Sequence, residues 1–227
     1  MKIGILVAME KELKLLLPQL NDMKEVDLEG FKMYSGSFGN HQLTVAQCGI
    51  GKVNAALTAF ALIRGFAPDL VINSGVAGGA GNGVRIGQLL VADYVAYHDV
   101  WCGPGTELGA ADGCAVFLPA DEKAIDIARR LLPADQTVFG LICSGDRFIS
   151  RAEEVRDIKK NFPSVKAVDM ESAAIAQVCS MRGVPFNILR VVSDTPGEGE
   201  NISQYQDFWT KAPEETFKAV ATILKEL

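Results

Sequence analysis

Read for the spacing of apolar and polar positions, the chain divides into short apolar runs and longer segments with helical periodicity. KIGILVA (2–8) reads as a strand, and MEKELKLLLPQL has helical spacing and stops near Pro18. FKMYSGSF and QLTVAQC flank Gly39-Asn40, which predicts a hairpin. VNAALTAFALIRG (53–65) predicts an apolar helix ending at Gly65, and DLVINSG (69–75) a buried strand. IGQLLVADYVAY (86–97) is a further extended stretch, and ADEKAIDIARRLL (120–132) an amphipathic helix. TVFGLICSGD (137–146) predicts a strand running into a polar turn, and AEEVRDIKKNF a helix. KAVDM (166–170) is a brief strand, and ESAAIAQVCSMRG (171–183) a helix of small residues. PFNILRVVSD is the last strand, and a long helix broken near Pro213 closes the chain. Strands alternate with helices apart from the one early hairpin. The expected fold is therefore α/β, a mixed and largely parallel sheet with helices on both faces. No repeat, low-complexity tract or linker is visible, so residues 1–227 are expected to form a single domain.

Composition narrows the partners. The 227 residues are 48% hydrophobic with net charge −6, and no basic block appears, which argues against nucleic acid or an anionic membrane. No stretch approaches the ~18 apolar residues of a membrane span, and the first apolar run is too short for a signal peptide. Five scattered cysteines without C-x-x-C read as buried small hydrophobes in a reducing cytoplasm. The two histidines, His41 and His98, lack metal-ligand spacing, so no metal site is expected.

In open α/β sheets ligands bind at the carboxyl ends of strands. Polar groups or glycines stand at five such ends: Met9-Glu10-Lys11-Glu12, Ser74 to Gly79, Ser144 to Phe148, Asp169-Met170-Glu171 and Ser193-Asp194. Each has a plainer explanation. Glu10, Glu12 and Glu171 could simply favour helix N-termini. Arg190, inside an apolar strand, needs a partner and is either in a structural salt bridge or facing a ligand. The run GVAGGAGNG (75–83) continues as extended structure and not as a helix, so it is not a dinucleotide-binding turn. GIGKVNAA lacks the spacing of a P-loop, and no G-x-S-x-G is present.

The segments AMEKE, CGIGKVNAA, INSGVAGG, YHD, SGDRFI, VDMESAAIA and LRVVSD, in this order, resemble the 5′-methylthioadenosine/S-adenosylhomocysteine nucleosidases of the nucleoside phosphorylase superfamily. The resemblance spans nearly the whole chain. It implies a three-layer α/β/α fold around a mixed central sheet, usually a homodimer, and no cofactor. The implied reaction is hydrolysis of the N-glycosidic bond of 5′-substituted adenosines to adenine and the ribose derivative, as in methionine salvage. By resemblance Asp194 is the acid that protonates N7 of the leaving adenine, with Ser193 positioning it, and Glu12 is the base that activates water. Glu171 would bind the ribose hydroxyls, Met170 would pack on the sugar, and Arg190 would lie near the water and the acids. Phe148 would stack on adenine, and the backbone of Ile149 would read the purine edge. Met9 and Ile50 would surround the sugar and its 5′ group, with Gly78 of the glycine run also against the ligand. Two segments depart from the family pattern. Val76 stands where serine is common, and Val100 to Glu107 replaces a segment that helps form the 5′ pocket. Trp101 is expected either to cover the 5′ group or to pack on a dimer partner. The competing functions are phosphorolysis and non-catalytic nucleoside binding.

Overall fold

The computed structural model describes residues 1–197, 201–211 and 215–227. Its strands are β1 (Lys2–Val7), β2 (Asn21–Leu28), β3 (Phe31–Phe38), β4 (His41–Gln47), β5 (Leu70–Gly79), β6 (Leu89–Tyr97), β7 (Leu118–Pro119), β8 (Thr137–Ser144), β9 (Val165–Asp169) and β10 (Phe186–Asp194). The helices are α1 (Glu10–Leu16), α2 (Lys52–Phe66), α3 (Glu122–Leu131), α4 (Ala152–Asn161), α5 (Ser172–Arg182), α6 (Asn201–Lys211) and α7 (Glu215–Leu224). The expected break at Pro213 lies outside the described residues.

The mixed central sheet and its helical layers agree with the expected fold. The sheet is evenly mixed, though, and not largely parallel: five of the described strand pairings are parallel and five antiparallel. The hydrogen-bonded order is β10-β6-β8-β9-β5-β1-β4-β3-β2, and β10 also pairs with β5. That last pairing closes β5, β9, β8, β6 and β10 into a ring, from which β1 to β4 extend as an open sheet. Helices α2 and α5 pack on each other and on the sheet, while α1, α3 and α7 pack elsewhere on it.

The hairpin at Gly39-Asn40 forms as expected, with Phe38 opposite His41. The periodicity misses β2, because NDMKEVDL is a charged, largely exposed edge strand whose apolar alternation is confined to Val26 and Leu28. Helix α2 does not end at Gly65. It ends at Ala67, whose φ is +50°, just before Pro68. Gly65 has a packing reason instead, since a Cβ there would lie 2.9 Å from Cβ of Leu28 on β2. β5 runs on from the expected end at Gly75 to Gly79. β10 is buried at all nine positions, because β5 and β6 pair with it on either side. Its apolar sequence follows from that placement.

Candidate active site

A single cavity collects the ends of β1, β5, β9 and β10. Of the residues expected at a site, it is lined by Met9, Glu12, Ile50, Gly78, Phe148, Met170, Glu171, Arg190, Ser193 and Asp194. Ile149 lies outside this lining. It lines an adjoining recess together with Gly78, Arg147, Phe148, Val168, Asp169, Met170 and Asp194. Glu12, Ile50 and Arg190 do not reach that recess, so Asp194 and Glu12 mark different ends of the space.

Local sequence explains how each group is placed. Glu12 is the third residue of α1, and its Oε2 accepts the amides of Ala8 and Met9, both at 2.9 Å. The carboxylate thus closes the helix N-terminus on itself, so the plain helix-terminus explanation and the placement in the cavity both hold. Burial raises its pKa, against the pull of the Arg190 charge and of the Met9, Ala8 and Val76 amides. Val76, which departs from the family pattern, therefore still presents its backbone amide to Glu12. Gly75 makes this corner possible. A Cβ there would overlap Nη1 of Arg190 and stand 2.8 Å from Oε1 of Glu12.

Arg190 is 1% exposed and answers both alternatives, since it is salt-bridged and also lines the cavity. Its Nε donates to Oδ2 of Asp169 at 2.9 Å, and its Nη2 to Oδ1 of Asn73 at 2.6 Å and to Oγ of Ser172 at 3.0 Å. Asp169 also accepts from Ser144 Oγ at 2.5 Å and from Ser172 Oγ. Oε2 of Glu171 lies 3.9 Å from Nη2 of Arg190, and Oε1 accepts the Gly51 amide at 2.9 Å. Burial, and then the nearby Asp169 charge, push the Glu171 pKa up.

Asp194 follows an irregularity in the β10–β5 register between Val192 and Asp194, so the consecutive Ser193 and Asp194 both line the cavity. Ser193 Oγ donates to Oδ1 at 2.7 Å, and Asn201 Nδ2 to Oδ2 at 3.2 Å. Burial raises the Asp194 pKa, opposed by these two neutral donors. Gly78 faces Asp194 across the strands, where a Cβ would meet Pro196 at 3.1 Å. Phe148 is 46% exposed and meets Tyr205 edge-on at 5.8 Å.

Sequence reasoning noted Asp169 at a strand end but gave it no part in the site. Asn73, Ser144 and Ser172, the remaining partners around Arg190, also went unassigned. Tyr205, which lines the cavity and donates its hydroxyl to Met9 Sδ at 3.2 Å, and Asn201 carried no signal at all. Both lie on α6, the helix that follows β10, and outside every strand-end motif. Trp101 is 59% exposed, and no residue of 100–107 lines the cavity within one chain.

This fold, with its carboxylates and one arginine converging at strand ends, defines a protein of the phosphorylase superfamily, whose family model matches residues 2–225. A 5′-methylthioadenosine/S-adenosylhomocysteine nucleosidase from Actinobacillus succinogenes is 38% identical over the full length of both chains. The solved structure of a nucleosidase of the same name from Neisseria meningitidis, in complex with methylthio-immucillin-A, is 37% identical with a TM-score of 0.94. It is covered over 99% of its length by all of this chain. An S-adenosylhomocysteine nucleosidase from Streptococcus pyogenes, in complex with 5-methylthiotubericidin, gives 35% identity and a TM-score of 0.95, covering 100% of this chain and 97% of that one. The chain belongs to the 5′-methylthioadenosine/S-adenosylhomocysteine nucleosidase family.

Proposed function

We propose that this protein hydrolyses the N-glycosidic bond of 5′-methylthioadenosine and S-adenosylhomocysteine, releasing adenine and the ribose derivative. The observation that carries this reading is a pair of buried carboxyls, Glu12 and Asp194, with raised proton affinity at different ends of one cavity. Cleavage of the C1′–N9 bond leaves negative charge on adenine and positive charge on the ribosyl group. Asp194, whose proton affinity burial raises, gives its proton to N7 of the purine, and Ser193 and Asn201 hold its two oxygens. Phe148 stacks on the base, and Ile149 reads the purine edge from the adjoining recess. Glu171 receives the ribose hydroxyls, Met170, Met9 and Ile50 enclose the sugar and its 5′ group, and Gly78 lets the backbone come close. Glu12 in its ionised form takes a proton from water, which adds to C1′ opposite the departing base. Arg190 keeps Asp169 and Glu171 in place around that water.

Phosphorolysis is less well supported. Among the described residues Arg190 is the cation lining the main cavity, and it is already committed to Asp169, Asn73 and Ser172, while Glu12 repels an anionic nucleophile. The test is adenine release from methylthioadenosine with and without phosphate, with analysis of the sugar. Free thioribose and no phosphate effect are expected. Ribose-1-phosphate products and a phosphate-dependent rate would establish phosphorolysis, and no adenine release would leave nucleoside binding.

The protein is further proposed to act as a homodimer in the cytoplasm. Val53, Leu57 and Phe60 form an exposed apolar stripe on α2, beside exposed Met181 on α5, and the stripe begins next to Ile50 at the cavity. A patch of this kind supports a partner subunit reaching the site. Five unpaired cysteines fit a reducing compartment.

A further inference from the structure

We propose that Asp99 is a positioning residue for Glu171, acting through a latch that joins Asp99, Lys52 and Asp146 and sets the Gly51 amide on the Glu171 carboxylate. The inference rests on the proposed nucleosidase reading for the role of Glu171, but its geometry stands independently. Three loops meet at this point: the turn into α2, the segment after β6 and the segment after β8. Lys52 Nζ donates to both oxygens of Asp99 at 2.9 Å. Asp146 donates its amide to Oδ2 of Asp99 at 2.8 Å, and its own Oδ1 accepts the Lys52 amide at 2.8 Å. The three residues therefore close a ring of hydrogen bonds in which both carboxylates are spoken for. The next peptide back from Lys52 is Gly51, whose amide donates to Oε1 of Glu171 at 2.9 Å.

Two glycines show how narrowly the latch is built. Gly51 has φ +96°, in the region that disfavours side chains, and a Cβ there would stand 3.2 Å from Oδ1 of Asp146. At Gly145 a Cβ would overlap the His98 ring and lie 2.9 Å from Cγ of Asp99. Gly145 in turn donates its amide to the Asp169 carbonyl at 3.1 Å, beside the Arg190 cluster. None of Asp99, Lys52 and Asp146 lines the cavity. Their influence on the carboxylate expected to receive the ribose hydroxyls passes through the Gly51 amide. Asp146 also lies two residues before Phe148, so the same latch seats the loop that covers the base.

The experiment is a double-mutant cycle between Asp99→Ala and Glu171→Ala, with Asp99→Asn as a milder variant that keeps an acceptor for the Asp146 amide. The readouts are kcat/KM for methylthioadenosine and hydrogen exchange at the Gly51 amide. Displacing a group from its productive geometry costs up to about 100-fold, so Asp99→Ala is expected to lose about 10- to 100-fold and Asp99→Asn less. In the Glu171→Ala background, where the Gly51 amide has lost its acceptor, adding Asp99→Ala is expected to cost under about two-fold, because both changes act on one interaction. Gly51 exchange is expected to accelerate in Asp99→Ala and to remain near wild type in Asp99→Asn. Additive losses, or Gly51 exchange unchanged by Asp99→Ala, would overturn the latch. A wild-type protein that releases no adenine while Gly51 still responds to Asp99 would retire the nucleosidase reading and leave the latch standing. If Asp99→Ala does not fold, the Asp99→Asn cycle decides by the same criterion.

Discussion

The two ends of the cavity hold the same kind of side chain in opposite surroundings. At one end Glu12, Asp169 and Glu171 crowd around Arg190, and nearly every oxygen there has a charged or amide partner. At the other end Asp194 has no ion pair among the described residues, since Arg147 of the same recess is paired with Glu154, and it is touched by the Ser193 hydroxyl and the Asn201 amide. Burial raises proton affinity at both ends. Only near Glu12 does a positive charge pull back. Under the proposed mechanism this difference in neighbours is what would let one kind of side chain serve as base at one end and as acid at the other.

The largest test of this contrast is to remove the acid. Asp194→Asn is expected to lower kcat by about 10² to 10⁴ while thermal unfolding stays near wild type, since an amide can still accept from Ser193. A folded variant with near-normal turnover would remove Asp194 from the mechanism. Glu12→Gln is expected to lose a similar factor in water attack, measured by adenine release under saturating substrate. If added phosphate restored its rate, the base assignment would fail.

The ends should also differ in what they contribute to folding. Arg190→Met leaves Asp169 buried without its cation, and breaking such a pair costs about 3–5 kcal/mol. Ser193→Ala removes one hydrogen bond from a carboxyl that stays partnered by Asn201, and is expected to cost about 1 kcal/mol. Denaturant unfolding of the two variants would show the difference, and equal losses would mean that the cluster around Arg190 is not the more tightly coupled end.

The pH profile separates the ends by sign. Glu12 must be ionised, and its pKa is raised, so activity is expected to fall as pH drops through that value. Asp194 must be protonated, and its pKa is raised too, so activity is expected to fall as pH rises through its value. Residual activity in Glu12→Gln should lose the acid limb of the kcat/KM profile, and that in Asp194→Asn the alkaline limb. The reverse assignment would exchange the two roles. The smallest expected effect is at Trp101→Ala, a several-fold change in the kcat/KM ratio between short and long 5′-alkylthio substrates. Because Trp101 does not line the cavity of its own chain, such a change would report a partner subunit at the 5′ end. An equal effect on every substrate would make the loop purely structural.

Much of the site was legible because strand ends punctuate the sequence. An apolar run that stops at Ser193-Asp194, or an acid three residues into a helix, stands out against its neighbours. Arg190 was legible as an anomaly, though its partners were not. Asp169 was one of several polar residues noted at strand ends, and Asn73 lay inside a predicted strand, until folding placed both against the guanidinium. Asn201 and Tyr205 had no local signal, because nothing in the helix they occupy announces that it packs over another strand's end.

The sequence alone determined the alternation of strands and helices, the glycines at crowded backbone and the residue types available for acid and base chemistry. These follow from local rules: periodicity, turn preferences and the cost of an unpaired charge. Tertiary structure decided which of those residues meet. The pairing of β10 with β5 as well as β6 closed the ring, buried Arg190 and carried Asp194 beside Gly78. Such contacts join residues far apart in the chain, as Leu189 with Val91 and Arg190 with Gly75, and no local pattern records them. Proton affinity was decided at the same level, because it depends on how much water and which charges surround a carboxyl after packing.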